Sequence, residues 1–119
     1  MQQAQIDRLR SAAIPAQQLF VGGRAVPALG EARIDVVSPI DGRLLTTIAD
    51  GNAGDIDRAV KRARDAFEQG GWSRAAPAQR KKVLLRFADL IEQHALEIAV
   101  LGVRDNGTEI GMAYKAEPL

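Results

Sequence analysis

From Leu19 on, the spacing of apolar residues changes once, just before Asn52, and that change sets the fold class. From Leu19 to Asp50 the residues read as strands: "LFVGGRAV" as two short ones around Gly22-Gly23, "RIDVV" as a third, and "RLLTTIAD" as a fourth. Ser38-Pro39-Ile40-Asp41-Gly42 is the turn between the last two. Gly42 can take the positive φ such a turn commonly needs, and Pro39 has no N–H to give to a ladder. Isolated hairpins of this kind are marginal in water, so this unit is expected to pack on something else.

From Asn52 onward the period becomes helical. Asn52 is an N-cap with Asp55 three residues later, and Ile56, Val60, Ala63 and Phe67 then fall on one face. Gly70-Gly71 ends that helix, and Trp72 lies in the connection. Pro77 suits the first turn of a second helix running to about His94, with Leu84, Phe87, Ala88 and Ile91 as its apolar face and Val83 and Leu90 widening it. A third helix is expected from about Ala95 to Asp105, stopped by an αL turn at Asn106-Gly107. A fresh apolar run, Ile110, Met112, Ala113 and Tyr114, begins another helix before Pro118-Leu119. Ahead of the strands, residues 1–18 read either as a short helix with Ile6, Leu9 and Ala13 on one side, ending before Pro15, or as a mobile arm. The fold class is therefore α+β: short antiparallel β-hairpins followed by three or four helices.

Composition narrows what such a chain can do. Apolar residues make up 46% of the 119 and charged residues 26%, in the range of globular sequences. Aromatic residues are only 4%, so the core is expected from Leu, Ile, Val and Ala, with Phe20, Phe67, Phe87 and Trp72 as its few large pieces. A net charge of +1 provides no field to attract nucleic acid or an anionic membrane, and neither is expected as a partner. There is no cysteine, which excludes disulfides, thiolate metal sites and a cysteine nucleophile within these residues. Residues 1–18 have no continuous apolar stretch that would read as a secretory signal or a membrane span, so a cytoplasmic location is the default expectation.

Three features invite a chemical reading. The glycine pairs Gly22-Gly23 and Gly70-Gly71 lack the spacing that places several N–H groups around a phosphate, and read as a turn and a helix stop. His94, the only histidine, is expected near a helix C-terminus, where the dipole favours imidazolium, and has no second histidine or cysteine with which to hold a metal. Arg80-Lys81-Lys82, with Lys61, Arg62 and Arg64, is interleaved with Asp55, Asp57, Asp65, Glu68, Asp89 and Glu92. It reads as solvated helix faces rather than a nucleic-acid surface. Spacing and residue types alone reveal no active site.

The order of the segments carries more. Six motifs follow one another: Phe20-Val21-Gly22-Gly23, Ser38-Pro39-Ile40-Asp41-Gly42, Asp55-Ile56-Asp57-Arg58-Ala59-Val60 through Phe67, Trp72-Ser73 with Pro77 to Arg80, Ala88-Asp89-Leu90-Ile91-Glu92, and Asp105-Asn106-Gly107. In this order and spacing, over about Leu19 to Ala113, the chain resembles the N-terminal part of the NAD(P)-dependent aldehyde dehydrogenase superfamily. "SPIDGR" and the extended N-terminus look most like the enzymes that oxidise γ-aminobutyraldehyde and its γ-glutamyl derivative. Two places depart from the pattern: Gly102-Val103-Arg104-Asp105 stands where E-T-L-D is usual, and Gly107-Thr108-Glu109 where G-K-P is usual.

The resemblance implies that residues 19–119 are an incomplete N-terminal portion of a cofactor-binding domain of α/β type. It implies an enzyme that forms a thiohemiacetal on a cysteine, passes hydride to NAD or NADP and hydrolyses the thioester, acting on an aldehyde and assembling as a homo-oligomer. No catalytic or cofactor-binding residue of that machinery can be assigned within these 119 residues, so the chain alone is expected to be silent, as a truncated or partial-gene product. A stand-alone helical interaction module built on the same scaffold is the alternative. The resemblance also implies a monovalent cation, Na⁺ or K⁺, held by the backbone oxygens of Val36 and Val37 and by the carboxylate of Asp105. Such oxygen donors suit a hard cation, although Asp105 reads equally well as a polar helix-end residue.

Overall fold

The computed structural model describes residues 3–116. Met1 and Gln2 of the N-terminal segment, and Pro118-Leu119 after the last apolar run, lie outside the described residues. The elements run α1 (Gln3–Ser11), β1 (Leu19–Val21), β2 (Arg24–Val26), β3 (Arg33–Val37), β4 (Leu44–Ala49), α2 (Ala53–Gln69), α3 (Pro77–Gln93), α4 (Ala95–Asn106) and α5 (Ile110–Ala116). The α+β expectation holds, with two antiparallel hairpins, one helix ahead of them and four behind. The described residues form two compact units. One joins the N-terminal residues through Ile14, residues 36–45, and the chain from Val83 on; the other joins residues 15–35 and 46–82.

In the second of these units, β1 and β2 pair antiparallel with Leu19 opposite Val26, Phe20 opposite Ala25 and Val21 opposite Arg24. Gly22 and Gly23 lie at φ +63° and +79°, the positive-φ pair that a two-residue hairpin turn of matching twist demands. Gln17 adds a parallel bridge to Ile48 beside β4, its N–H donating to the Thr47 carbonyl (2.9 Å) and its carbonyl accepting from Ala49 (3.0 Å). Arg33 braces this edge, donating through Nε to Thr47 Oγ1 (2.7 Å) and through Nη2 to the carbonyls of Gln17 (2.8 Å) and Thr47 (3.0 Å). β1 packs on α2. The hairpin thus finds the support that its small apolar area requires.

In the first unit α4 is the centre, with α1 and α5 packed on it and Ala99, Val100 and Ala113 buried there. The turn after β3 closes as the sequence implies: the Ser38 N–H donates to the Arg43 carbonyl (2.8 Å), the Gly42 N–H to the Ser38 carbonyl (2.9 Å), and Gly42 sits at φ +71°. Gly107 ends α4 in the left-handed region at φ +78°, donating its N–H to the Val103 carbonyl. Asn106 is still the last helical residue.

Several expectations need correction. The proposed large core residues are not core: Phe20 is 76% exposed, Phe67 64%, Phe87 60% and Trp72 49%, while the buried apolar residues are Ala28, Ala99, Val100 and Ala113. The apolar faces of α2 and α3 exist as read, but among the described residues no layer covers Ile56, Val60, Leu84 or Phe87. α1 stops at Ser11, leaving Ala13 outside the helix and exposed. Ser11 Oγ turns back to the Asp7 carbonyl (2.9 Å), and the carbonyls of Leu9 and Ala12 are taken by Arg104. Gly70 caps α2 in an extended conformation, not a left-handed one; a Cβ there would overlap the Ala66 carbonyl oxygen, and that close approach is what favours glycine. His94, besides following α3, is the N-cap residue of α4, and its Nδ1 lies 2.8 Å from Glu97 Oε2.

Candidate functional site

The three residues proposed as cation ligands all belong to the first unit. Val36 and Val37 end β3, the first half-buried and the second exposed. Asp105 lies in the last turn of α4, exposed, and its carboxylate makes no hydrogen bond or ion pair among the described residues. The two segments meet two residues further on: a Cβ on Gly107 would stand 3.4 Å from Pro39 Cγ, so the proline of the turn after β3 lies directly over the αL residue that ends α4. Left-handed backbone at Gly107 and a rigid ring at Pro39 bring the strand end and the helix end side by side. Carbonyl and carboxylate oxygens are the right donor class for a hard monovalent cation, and among the described residues no cluster of three His, Cys, Asp or Glu side chains competes with them.

Beside this junction lies a cleft of about 660 Å³ between α1, the turn after β3 and the end of α4. Ile6, Ile40, Val100 and Val103 form apolar wall, and Asp41 and Arg104 are among its polar lining. Asp41 accepts the Arg43 backbone N–H at 3.1 Å, which holds its carboxyl below the usual aspartate range, with Ser38 and the Arg43 guanidinium acting in the same direction. Arg104 spends its Nη1 on the carbonyls of Leu9 (3.2 Å) and Ala12 (2.7 Å). Arg104, one of the residues that depart from the family pattern, is therefore the clamp that fixes the C-terminal end of α1, a role that no local pattern in the sequence announces.

In the second unit the structure adds a role that the sequence reading missed. Asn52 and Asp55 form a reciprocal capping box, Asn52 Oδ1 accepting from the Asp55 N–H (3.2 Å) and Asp55 Oδ2 from the Asn52 N–H (3.0 Å). Asp55 is also 2% exposed, accepts the Leu29 N–H on both oxygens at 3.2 Å, and is paired with Arg58 Nη2 at 2.8 Å. Arg58 Nη2 in turn donates to the Pro27 carbonyl (3.2 Å). One carboxylate thus closes the start of α2 and ties down the loop after β2. The glycine pairs serve as read, Gly22-Gly23 as a hairpin turn and Gly70 as a helix end, and neither builds a dinucleotide-phosphate loop in the described residues.

A fold with these hairpins, this helix order and this junction has counterparts. The model of the aldehyde dehydrogenase family matches residues 26–117, and the chain belongs to that family. The NADP/NAD-dependent aldehyde dehydrogenase PuuC of Escherichia coli (strain K12) is 42% identical over 104 residues, which are 87% of this chain and 21% of that protein. Among solved structures, an indole-3-acetaldehyde dehydrogenase complexed with NAD⁺ superposes with a TM-score of 0.92 at 37% identity, over 99% of this chain and 24% of that one. The γ-glutamyl-γ-aminobutyraldehyde dehydrogenase of Burkholderia cenocepacia J2315 does so with a TM-score of 0.90 at 36% identity, over 97% and 23%. The chain spans from about a tenth to a fifth of the length of the curated relatives it matches. Its fold is that of the N-terminal part of aldehyde dehydrogenase structures. Among the described residues, no helix is long and apolar enough to cross a membrane.

Proposed function

We propose that this chain serves as the N-terminal portion of an NAD(P)-dependent aldehyde dehydrogenase that oxidises an amino-aldehyde of the γ-aminobutyraldehyde type to the carboxylic acid. The observation that carries this reading is the run of six family motifs in order across residues 19–113, folded as in the family. In this reading residues 1–18 are an arm and residues 19–119 an incomplete part of the cofactor-binding domain. As the resemblance implies, the cysteine nucleophile, the glutamate base and the dinucleotide loop belong to residues outside these 119, in keeping with a chain that has no cysteine and whose glycine pairs serve a turn and a helix end. The parent enzyme is a cytoplasmic homo-oligomer in this proposal. The 119 residues by themselves contribute scaffold, not chemistry.

The test is direct. Purified chain mixed with NAD⁺ or NADP⁺ and γ-aminobutyraldehyde should give no rise in reduced-nicotinamide absorbance, whereas the aldehyde dehydrogenase that contains these residues should turn that aldehyde over. Turnover by the chain alone would sink the assignment of silence, and a parent enzyme indifferent to amino-aldehydes would sink the substrate.

The same reading gives Asp105, with the carbonyls of Val36 and Val37, a Na⁺ or K⁺ ion. Support comes from the juxtaposition of Pro39 and Gly107, which sets the strand end beside the helix end, and from a carboxylate at Asp105 with no partner among the described residues. The ion's role there would be to fix the junction, away from the reacting atoms.

A further inference from the structure

The second unit holds a cleft that the aldehyde dehydrogenase reading does not use. It measures about 280 Å³ and is lined by Val21, Gly22, Arg24, Val26, Arg58 and Arg62. Every charged residue in that lining is an arginine. Arg58 is compensated, since its Nη2 pairs with the buried Asp55 at 2.8 Å. Its Nε is buried with no hydrogen-bond partner, so even this guanidinium has donor capacity to spare. The side chains of Arg24 and Arg62 have no ion pair or hydrogen bond among the described residues. Asp55, the acid that pairs with Arg58, already accepts from Leu29, Asn52 and Arg58. Two positive charges are therefore left without a counter-charge around one small cavity.

The geometry holds them there. Arg24 opens β2 directly after the Gly22-Gly23 turn, opposite Val21. The Arg62 stem runs past that turn, with its Cγ and Cδ 3.7 Å from where a Cβ on Gly22 would stand. Glycine at position 22 makes the turn at φ +63°, and the Arg62 stem lies within van der Waals range of it. We propose that the cleft between the β1–β2 hairpin and α2 binds a phosphate dianion through the guanidinium groups of Arg24 and Arg62. Two free guanidiniums match two negative charges, and their forked donors match tetrahedral oxygens better than a single carboxylate does. At about 280 Å³ the cavity admits inorganic phosphate or the phosphoryl end of a small ester. It falls below the roughly 300–1,000 Å³ of sites that enclose larger ligands. Binding would cross-link the hairpin turn to α2. The inference stands on this unit alone and is independent of the proposed dehydrogenase role.

The full 119-residue chain, labelled with ¹⁵N, is titrated with sodium phosphate while sodium chloride keeps the ionic strength constant. Saturable amide shifts at Gly22, Gly23, Arg24 and Arg62 are expected. Arg24→Gln and Arg62→Gln should each weaken binding by about tenfold or more, the loss of a charge-assisted contact, and Arg62→Lys should recover part of it. Equilibrium dialysis with radiolabelled phosphate reads the same affinities if a variant gives poor spectra. A glycerol phosphate run in parallel distinguishes the source, since tighter binding than inorganic phosphate assigns the site to an organic phosphate and weaker binding to the free ion. Non-saturating shifts spread over the surface, or an Arg24→Gln/Arg62→Gln chain that binds phosphate as well as the original, would overturn the proposal.

Discussion

Asp55 is the residue on which most of one unit's polar structure converges. Its carboxylate is almost fully buried, yet its two oxygens accept from three donors, the backbone N–H groups of Leu29 and Asn52 on separate segments and the Arg58 guanidinium, while the Asp55 N–H returns a bond to Asn52 Oδ1. Removing such an acceptor costs more than its bonds contribute net, because the Leu29 N–H and the Arg58 charge are left half-buried without a partner. Asp55→Ala is expected to destabilise the chain by about 2–4 kcal/mol, read from the midpoint of urea denaturation. Asp55→Asn should cost less, since it keeps one acceptor oxygen and the shape of the cap. If the two variants were equally mild, the carboxylate would be a helix cap and nothing more. Only the cap could be read from the sequence, since Asn52 and Asp55 stand three apart in a known pattern. The bond to Leu29 spans 26 residues and leaves no local trace.

At the scale of elements, boundaries were legible where a single residue type enforces them. Asn52 starts α2, Pro77 starts α3 and Gly107 stops α4, each for a backbone reason that acts within a turn. Gly107→Ala should cost about 1–2 kcal/mol, because a side chain is forced into the left-handed region while its Cβ meets the Pro39 ring. Thermal melts of the variant should shift down, and hydrogen exchange should accelerate in the last turn of α4 and in the turn after β3 together. Exchange that changes in α4 alone would mean that the Pro39 contact carries no coupling. The end of α1 was misread for the opposite reason. What stops it is Arg104, more than ninety residues along the chain, aided by Ser11 Oγ.

For the whole chain, helical periodicity located the apolar faces of α2 and α3 correctly but could not say whether anything lies over them. A stripe such as Ile56, Val60 and Phe67 reads the same whether it faces a core or water. The buried apolar residues of the described chain are mostly alanines, so each unit removes little large-side-chain surface from water. The chain is therefore expected to bind ANS, to melt broadly and to give a urea m-value below about 1 kcal/mol/M. A sharp transition with a monodisperse particle and no ANS signal would instead favour the self-sufficient interaction module. The family was legible because six short motifs kept their order. The substrate was not, because neither the type nor the spacing of any of these residues points to an aldehyde.

Arg104 also sets a clock on synthesis. It is joined to the Ala12 carbonyl across 92 residues of chain, and to Leu9 across 95. At roughly 5–20 residues per second, a ribosome takes on the order of 5–20 s to make that span. Throughout that interval the first helix has emerged without its clamp, exposed to proteases and chaperones, and its anchorage comes only when the last turn of α4 clears the exit tunnel.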